Sequence, residues 1–253
     1  MAEVLNANLL PLIERIWEQD KAFVFAHYWD THRPYNQPDD YAYLFDDHDL
    51  DYREKQTPGG VRYLPKWGPL SNLDGSRRYN GSRERLNLTA RQMINLYDSE
   101  IRYVDHHVGK VLGLLKEKGI YQESLIILFS DHGDDMAEYH CHFEHRELYD
   151  GVIHVPLLVK LPRSVAEAIG PPDRVGALVQ LQDLFPTILE LAGLDRPSKG
   201  MGRSLMPLLR RESVCPYDAV VTTGSFVFNA QKWRSVNASV RTHEWKYMVR
   251  SDV

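Results

Sequence analysis

Side chains of the types that bind metal ions or transfer protons follow two apolar runs of the sequence. They are His27, Asp30 and His32 after residues 22–26, and Asp131 and His132 after residues 125–129. In open α/β sheets, ligands bind beyond the carboxyl ends of the strands, which is where both groups lie if the two runs are strands. An aspartate supplies a hard oxygen and a histidine a neutral nitrogen. This mixture suits a divalent ion such as zinc, manganese or calcium.

Asp131 and His132 are adjacent, so on a regular strand their side chains would point to opposite faces of the sheet. Both can reach one ion only if the backbone turns there, and Gly133 permits such a turn. The simpler interpretation is that Asp-His-Gly forms an ordinary turn, because Asp and Gly are favoured turn residues. From the tripeptide alone, the metal site and the ordinary turn remain alternatives.

A third polar group lies in residues 138–149. Its potential metal ligands are His140, Cys141, His142, Glu144 and His145. In an extended chain, residues 140 and 142 would share one face and could bind the same zinc ion. Their spacing matches no standard zinc motif, so surface histidines are favoured over an independent structural zinc.

Alternating helices and strands are predicted to position these groups. Apolar spacing predicts helices over residues 8–19, 89–119 and 181–192, and short apolar runs predict buried strands at residues 22–26, 125–129 and 156–160. Pro11 is expected in the first turn of the first helix. The alternation predicts an α/β domain whose largely parallel central sheet has helices on both faces. Residues 239–249 alternate imperfectly and predict a small antiparallel C-terminal portion.

The longest predicted helix begins at the capping-box pattern Thr89-x-x-Gln92 and ends near Gly119. Its apolar stripe consists of Met93, Tyr97, Ile101, Val104, Val108, Val111 and Leu115. His107 is expected at the edge of this stripe and His106 in water, and neither is assigned a role. Residues 36–88 follow no period and contain many Pro and Gly residues, which indicates a long irregular insertion on the surface.

Composition and charge exclude several classes of protein. Of the 253 residues, 43% are hydrophobic and 26% are charged, which is typical of a folded globular protein. The formal net charge of −5 disfavours general nucleic-acid binding. No apolar run approaches the roughly 20 residues of a membrane-spanning helix, and residues 1–20 do not resemble a secretory signal. A cytoplasmic location is the default expectation, although Cys141 and Cys215 leave the redox compartment open.

Several stretches match the signature regions of one known family, in the family's order. Residues 23–35 contain an Asp-x-His-x-Pro-Tyr loop after the predicted strand, and Ser130-Asp-His-Gly-Asp134 leads to His145-Arg-Glu-Leu-Tyr-Asp-Gly-Val-Ile-His-Val-Pro-Leu-Leu-Val-Lys160. Further matches are residues 96–105, 182–193, 202–209 and 240–247. Together these stretches resemble the sulfatases of the alkaline phosphatase superfamily. The resemblance covers nearly the whole chain outside residues 36–88.

The resemblance implies a metal-dependent hydrolase of sulfuric esters that acts on a small-molecule or saccharide sulfate ester. Asp131 and His132 take the positions of two metal ligands of the family, and His32 that of a histidine near the leaving-group oxygen. His145 falls where many members have a lysine that contacts the sulfate. The implied metal is calcium, with zinc or manganese as alternatives. No nucleic-acid or membrane partner is expected, and the oligomeric state stays open.

One feature of the family does not occur in residues 1–253. Sulfatases begin with a strand that bears two further aspartate ligands, followed by Cys/Ser-x-Pro-x-Arg, whose first residue becomes the formylglycine nucleophile. We therefore interpret residues 1–253 as a truncated sulfatase-like domain that lacks this N-terminal segment and is inactive by itself. The alternatives are a phosphodiesterase or phosphonate hydrolase of the same superfamily and a noncatalytic sulfatase-like fragment.

Overall fold

The computed structural model describes residues 2–19, 21–32, 35, 37–42, 44–45, 62–63, 88–136, 145, 147–170, 174–195, 200, 202–212, 216–228 and 233–252. The helices are α1 (Ala2–Ile16), α2 (Asp39–Ala42), α3 (Ala90–Glu117), α4 (Asp150–Ile153), α5 (Arg163–Ile169), α6 (Leu184–Leu191) and α7 (Met206–Leu209). The strands are β1 (Arg62–Tyr63), β2 (Leu88–Thr89), β3 (Ile126–Phe129), β4 (Leu157–Lys160), β5 (Val220–Phe228), β6 (Trp233–Arg241) and β7 (Lys246–Asp252). The chain forms two compact units, of which the first contains residues 1–122 and 136–142 and the second residues 123–135 and 143–253.

Helix α1 begins six residues earlier than predicted, and Pro11 lies inside it rather than in its first turn. Its buried side chains are Ala2, Asn6, Leu9 and Ile13. These positions are four, three and four residues apart, so they form one continuous helical face. Pro11 cannot donate a backbone hydrogen bond, but its side chain lies on the exposed face. The continuous buried face therefore keeps the helix intact across the proline.

Helix α3 confirms the prediction of a long helix, and the left-handed φ of +74° at Gly119 follows its end. The buried face differs from the predicted stripe, because Ile101 is 44% exposed while Glu100 and Tyr103 are buried. His107, expected at the edge, is only 4% exposed. The reason is the neighbouring helix α1, whose Asn6 side-chain amide donates a hydrogen bond of 2.8 Å to the His107 carbonyl oxygen.

Residues 22–26, predicted as a buried strand, have no regular secondary structure. The side chains of Phe23 and Phe25 are 75% and 67% exposed. Among the described residues, no strand pairs with this segment. A strand needs a neighbour for its backbone hydrogen bonds, which apolar composition cannot supply by itself. The prediction of a buried strand at this position is therefore wrong for the described structure.

The strands predicted at residues 125–129 and 156–160 are confirmed as β3 and β4, but they pair antiparallel, with Ile127 opposite Val159. The described strands form three separate antiparallel sheets, which differs from the predicted largely parallel one. Parallel pairing requires a crossover that packs on the sheet, usually a helix of several turns. Between β3 and β4 the described residues contain only the four-residue helix α4. The two strands therefore lie side by side and run in opposite directions.

The C-terminal part of the second unit contains a helical turn and an antiparallel sheet. The helix predicted at residues 181–192 is confirmed as a 3₁₀ turn, Leu181–Asp183, followed by α6. Asp183 is fully buried and accepts hydrogen bonds from the backbone nitrogens of Gln180 and Arg203 and from the Tyr217 hydroxyl, all between 2.6 and 2.8 Å. Strands β5, β6 and β7 form a meander, which confirms and extends the antiparallel portion predicted at residues 239–249.

The long irregular insertion predicted at residues 36–88 lies mostly outside the described residues. The described part contains α2 and the short antiparallel pair of β1 and β2, in which Tyr63 is opposite Leu88. Among the described helices, none combines the length and the apolar character that crossing a bilayer requires. The described structure has two compact units, and the interpretation of residues 1–253 as one sulfatase-like domain remains a prediction.

Candidate metal and active site

The loop after β3 turns sharply at the Asp-His-Gly sequence. The His132 backbone nitrogen donates a hydrogen bond of 3.0 Å to Asp131 Oδ1. The Ser130 hydroxyl donates one of 2.5 Å to the His132 carbonyl oxygen. These local side-chain bonds replace the ladder bonds that a continuing strand would make. The backbone therefore leaves the strand geometry at the Asp-His-Gly sequence, where both the metal-site interpretation and the ordinary-turn interpretation require a turn.

Gly133 holds this loop against helix α4. Its backbone nitrogen donates a hydrogen bond of 2.7 Å to the Val152 carbonyl oxygen. A Cβ atom at position 133 would overlap the carbonyl oxygen of Gly151. Only glycine permits such a close backbone approach. The glycine thus sets the distance between the loop and the helix. The positions of the neighbouring side chains, His132 and Asp134, depend on that distance.

Three side chains of the second unit, His132, Asp134 and His145, converge beside this loop. The imidazole rings of His132 and His145 stack with their centroids 4.3 Å apart. His145 Nδ1 lies 3.1 Å from Asp134 Oδ1. One potential ligand atom from each of the three residues lies within 4.8 Å of the other two. Two ligand atoms of a tetrahedral zinc ion, each about 2.0–2.1 Å from the metal, lie roughly 3.4 Å apart, so the three side chains would have to close by up to about 1.4 Å around an ion.

Hydrogen bonding determines which imidazole nitrogens can bind a ligand. His132 Nδ1 lies 3.0 Å from the Gly133 carbonyl oxygen, which only accepts hydrogen bonds. His145 Nδ1 faces the Asp134 carboxylate in the same way. In both rings these contacts therefore place a proton on Nδ1. A carboxylate that orients a ligating histidine through its second nitrogen is a common feature of metal sites.

The donor set fits a transition metal better than calcium. Zinc and manganese accept imidazole nitrogen together with carboxylate oxygen, while calcium takes six to eight oxygen ligands. Among the described residues, Asp134 is the one carboxylate of the cluster. The side chain of Asp134 is only 5% exposed, so water screens its carboxylate weakly. The residues present therefore fit a divalent transition metal ion.

Asp131 lies beside the cluster rather than within it. Its side chain is largely exposed, and its Oδ2 lies 3.9 Å from His132 Nε2. Asp131 therefore stays a predicted ligand at the solvent side of the site.

Comparison with known proteins gives the family. A family model described as "Sulfatase" matches residues 2–194, which is most of the chain. The chain belongs to the sulfatase family. A second model, described as "N-sulphoglucosamine sulphohydrolase, C-terminal", matches residues 138–251. The resemblance indicated by the sequence motifs is confirmed.

Curated relatives of this sulfatase-family chain include the arylsulfatase K proteins of several vertebrates. Those of Xenopus laevis and Gallus gallus are 30% and 31% identical, and each alignment covers 75% of this chain and 36% of the relative. Human arylsulfatase K is 28% identical over 80% of this chain and 38% of its own length. The chain thus spans little more than a third of the length of these relatives.

Solved structures confirm the α/β sulfatase-like fold. The protein yidJ from Bacteroides fragilis superposes with a TM-score of 0.66 at 20% identity and covers 99% of this chain and 51% of its own. The phosphonate monoester hydrolase of Agrobacterium radiobacter gives a TM-score of 0.64 at 21% identity, with 98% and 54% covered. At these identities the likeness concerns the fold alone. A 2-O GAG sulfatase is 25% identical, with a TM-score of 0.56 and coverage of 69% and 36%.

His32, the predicted leaving-group histidine, belongs to the first unit of the sulfatase-family chain. Its backbone nitrogen donates to the Trp29 carbonyl oxygen at 3.0 Å, and its ring lies 4.9 Å from the Trp29 ring. Asp30 in the same turn is buried. Burial and then the negative charge of Asp30 raise the pKa of the Tyr28 hydroxyl, which donates to Asn6 Oδ1 at 2.7 Å. This hydrogen bond ties the segment that bears His32 to helix α1.

Sequence reasoning did not place Asp134 in the site. The signal was present, because residues 132 and 134 lie on one side of an extended chain. His145 was predicted as a potential metal ligand of residues 138–149 and, through the family resemblance, as a sulfate contact, but its pairing with Asp134, eleven positions earlier, was not predicted. The candidate zinc ligands His140, Cys141, His142 and Glu144 lie outside the described residues.

Proposed function

We propose that this chain supplies metal-binding and leaving-group residues to a metal-dependent hydrolase of sulfate esters. The observation that carries the proposal is the convergence of His132, Asp134 and His145 at the end of β3, in a chain of the sulfatase family. Two imidazoles and a carboxylate can bind a divalent ion and also contact an anion next to it.

Each residue has a defined task in this proposal. His132 and Asp134 hold the ion, and Asp131 completes the set from the solvent side. A bound divalent ion supplies positive charge that offsets the charge on the sulfate oxygens. His145 contacts the sulfate by donating an Nε2–H to one of its oxygens, with its ring held through Nδ1 by Asp134. His32 protonates the leaving-group oxygen, which suits an imidazole because its pKa ordinarily lies near neutrality.

A sulfated saccharide is the substrate class that the relatives favour. The model that matches residues 138–251 is named for a sulphoglucosamine sulphohydrolase, and one structural neighbour at 25% identity is a 2-O GAG sulfatase. Both names describe enzymes that act on sulfated sugars.

Metal binding is the first test of the proposal. Calorimetric titration of the purified chain is expected to show measurable zinc affinity, because the His132 imidazole and the Asp134 carboxylate are ligand types that zinc accepts. Calcium affinity is expected to be of millimolar order or weaker, as in the weakest calcium modules. His132→Ala is expected to lower the zinc affinity by at least tenfold, because it removes a ligand of the proposed site.

The control is His154→Ala, which removes an exposed histidine of the same unit that is not part of the cluster. Its zinc affinity should equal that of the wild-type chain. Equal losses in the two variants would show that zinc binds surface histidines nonspecifically and would contradict the proposed site. Micromolar calcium affinity would contradict the assigned ligand set.

Hydrolysis assays distinguish the alternative functions. The chain as numbered contains no Cys/Ser-x-Pro-x-Arg sequence, so we expect it to show no turnover of an aryl sulfate. Sulfate release that is abolished by His32→Ala would contradict this expectation. Parallel assays with an aryl phosphodiester and a phosphonate monoester test the other ester classes of the superfamily. An in-frame Cys-x-Pro-x-Arg in the coding sequence before Met1 would support the hydrolase over a noncatalytic fragment.

A further inference from the structure

Asp150 connects helix α4 to the C-terminal hairpin of the second unit. It is the first residue of α4, and both of its carboxylate oxygens accept hydrogen bonds. Arg241 Nη1 donates to Oδ1 and Oδ2 at 3.2 and 2.9 Å, and Lys246 Nζ donates to Oδ1 at 2.7 Å. Arg241 and Lys246 are register partners at the end of the β6–β7 ladder. One carboxylate therefore joins both strands of the hairpin to the helix.

The ionic state of Asp150 suits this connection. Burial alone would raise the pKa of its carboxyl, but the hydrogen bonds and positive charges of Lys246 and Arg241 outweigh burial and lower the pKa. Asp150 is therefore ionised at neutral pH, and each of its bonds is charge-assisted. The side chain of Lys246 is 13% exposed and that of Asp150 is 49% exposed, so solvent still screens part of this attraction.

Helix α4 in turn contacts the loop that bears the candidate metal ligands. Val152 accepts the hydrogen bond of the Gly133 backbone nitrogen, and the position where a Cβ of Gly151 would lie is 3.4 Å from the Asp134 carbonyl oxygen. Gly133 separates His132 from Asp134 in sequence. A displacement of α4 therefore changes the backbone position of two members of the cluster at once.

We propose that Asp150, Arg241 and Lys246 are positioning residues for the His132–Asp134–His145 metal site. The hairpin holds α4 through Asp150, and α4 holds the loop at the spacing that brings His132 and Asp134 together beside His145. This inference rests on the proposed metal-binding function. It adds that the affinity of the site depends on three charged residues that do not belong to the cluster.

Cobalt(II) titration followed by visible absorption tests the inference, because the absorption reports the ligand geometry as well as occupancy. Arg241→Gln is expected to weaken cobalt binding about tenfold, at the lower end of the effect of losing an outer-shell partner. It is also expected to change the intensity of the bound-cobalt spectrum. Arg241→Lys, which retains the positive charge, should recover part of the affinity. Lys246→Gln removes a single bond and should cause a smaller loss.

The matched control is Arg210→Gln, which breaks an exposed arginine–carboxylate pair of the same unit, Arg210 to Glu190 at 3.1 Å. Its cobalt affinity and spectrum should match those of the wild-type chain. Circular dichroism establishes that each variant is folded at the titration temperature, and Lys246→Gln serves as the milder variant if Arg241→Gln is not. Equal cobalt affinities and spectra for the folded hairpin variants and Arg210→Gln would overturn the positioning role. No cobalt binding by the wild-type chain would overturn the proposed function itself.

Discussion

The two units of the chain each bury polar side chains around a histidine, and they do so in opposite ways. Between helices α1 and α3, Asn6 is buried with His107, which is 4% exposed. In the loop after β3, His132 and His145 stay about one-third exposed beside the buried Asp134. The first arrangement joins two helices, while the second leaves two imidazole rings partly exposed to solvent. Burial of a histidine is therefore compatible with a structural role, and partial exposure with a ligand-binding one.

The electrostatics of His107 support its structural role. Burial, followed by the electrostatic interactions with Lys110 and His106, lowers the pKa of His107, and the negative charges of Glu3 and Asp30 oppose this only in part. The imidazole is therefore neutral at neutral pH and packs edge-on against the Tyr103 ring at 4.7 Å. A residue held neutral between two helices contributes packing rather than acid–base chemistry.

The largest expected effect tests the close packing of the metal loop. Gly133→Ala should lower the free energy of unfolding by about 3 kcal/mol, the upper end for overpacking, because the new Cβ meets the Gly151 carbonyl oxygen. Urea denaturation measures it. Gly113→Ala in helix α3 is the control, since no atom lies within 4 Å of its Cβ position. That variant should gain about 0.5–1 kcal/mol, and a similar gain at position 133 would contradict the packing described for the loop.

A second prediction concerns the polar contact between α1 and α3. Asn6→Ala removes the donor to the His107 carbonyl and the acceptor of the Tyr28 hydroxyl. Because both partners are left without this bond in a buried region, the free energy of unfolding should fall by about 1–3 kcal/mol. Asn8→Ala removes an exposed hydrogen bond to Val4 within the same helix and should change stability by less than about 0.5 kcal/mol. Equal effects of the two variants would show that burial at Asn6 has no energetic role.

The smallest expected effect is the pH dependence caused by His107. Its pKa is lower in the folded chain than the ordinary 6.5, so below that pH the unfolded state binds more protons and stability falls. At pH 5.5 this contribution is at most about 1.4 kcal/mol for one group. Urea denaturation of the wild-type chain and His107→Gln at pH 7.5 and 5.5 measures it. The wild-type chain should lose more stability between these two pH values, and parallel losses would contradict a lowered pKa.

The comparison also shows where sequence reasoning was reliable. Helix α3, strands β3 and β4 and the segment Leu181–Leu191 follow from apolar spacing and capping signals, and the structure confirms all of them. The prediction of a buried strand at residues 22–26 was wrong, because apolar composition indicates a tendency to form a strand but not whether a second strand is present to pair with it. The predicted buried face of α3 was also wrong. Asn6 of α1 hydrogen-bonds the His107 carbonyl oxygen, and this polar contact accompanies the burial of a side of α3 that the apolar stripe did not include.

The sequence by itself determined the family, the main elements and the residues of the loop after β3, because spacing, turn chemistry and ordered motifs are local properties of a chain. Tertiary structure alone decided that Asp134 joins His132 and His145, and that Asp150 connects the hairpin to the helix behind the loop. The pairing of Asp134 with His145 and that of Asp150 with Arg241 and Lys246 depend on residues that are distant in sequence and meet only after folding. Contacts of this kind have no periodicity to reveal them, since their geometry is set by how whole elements pack.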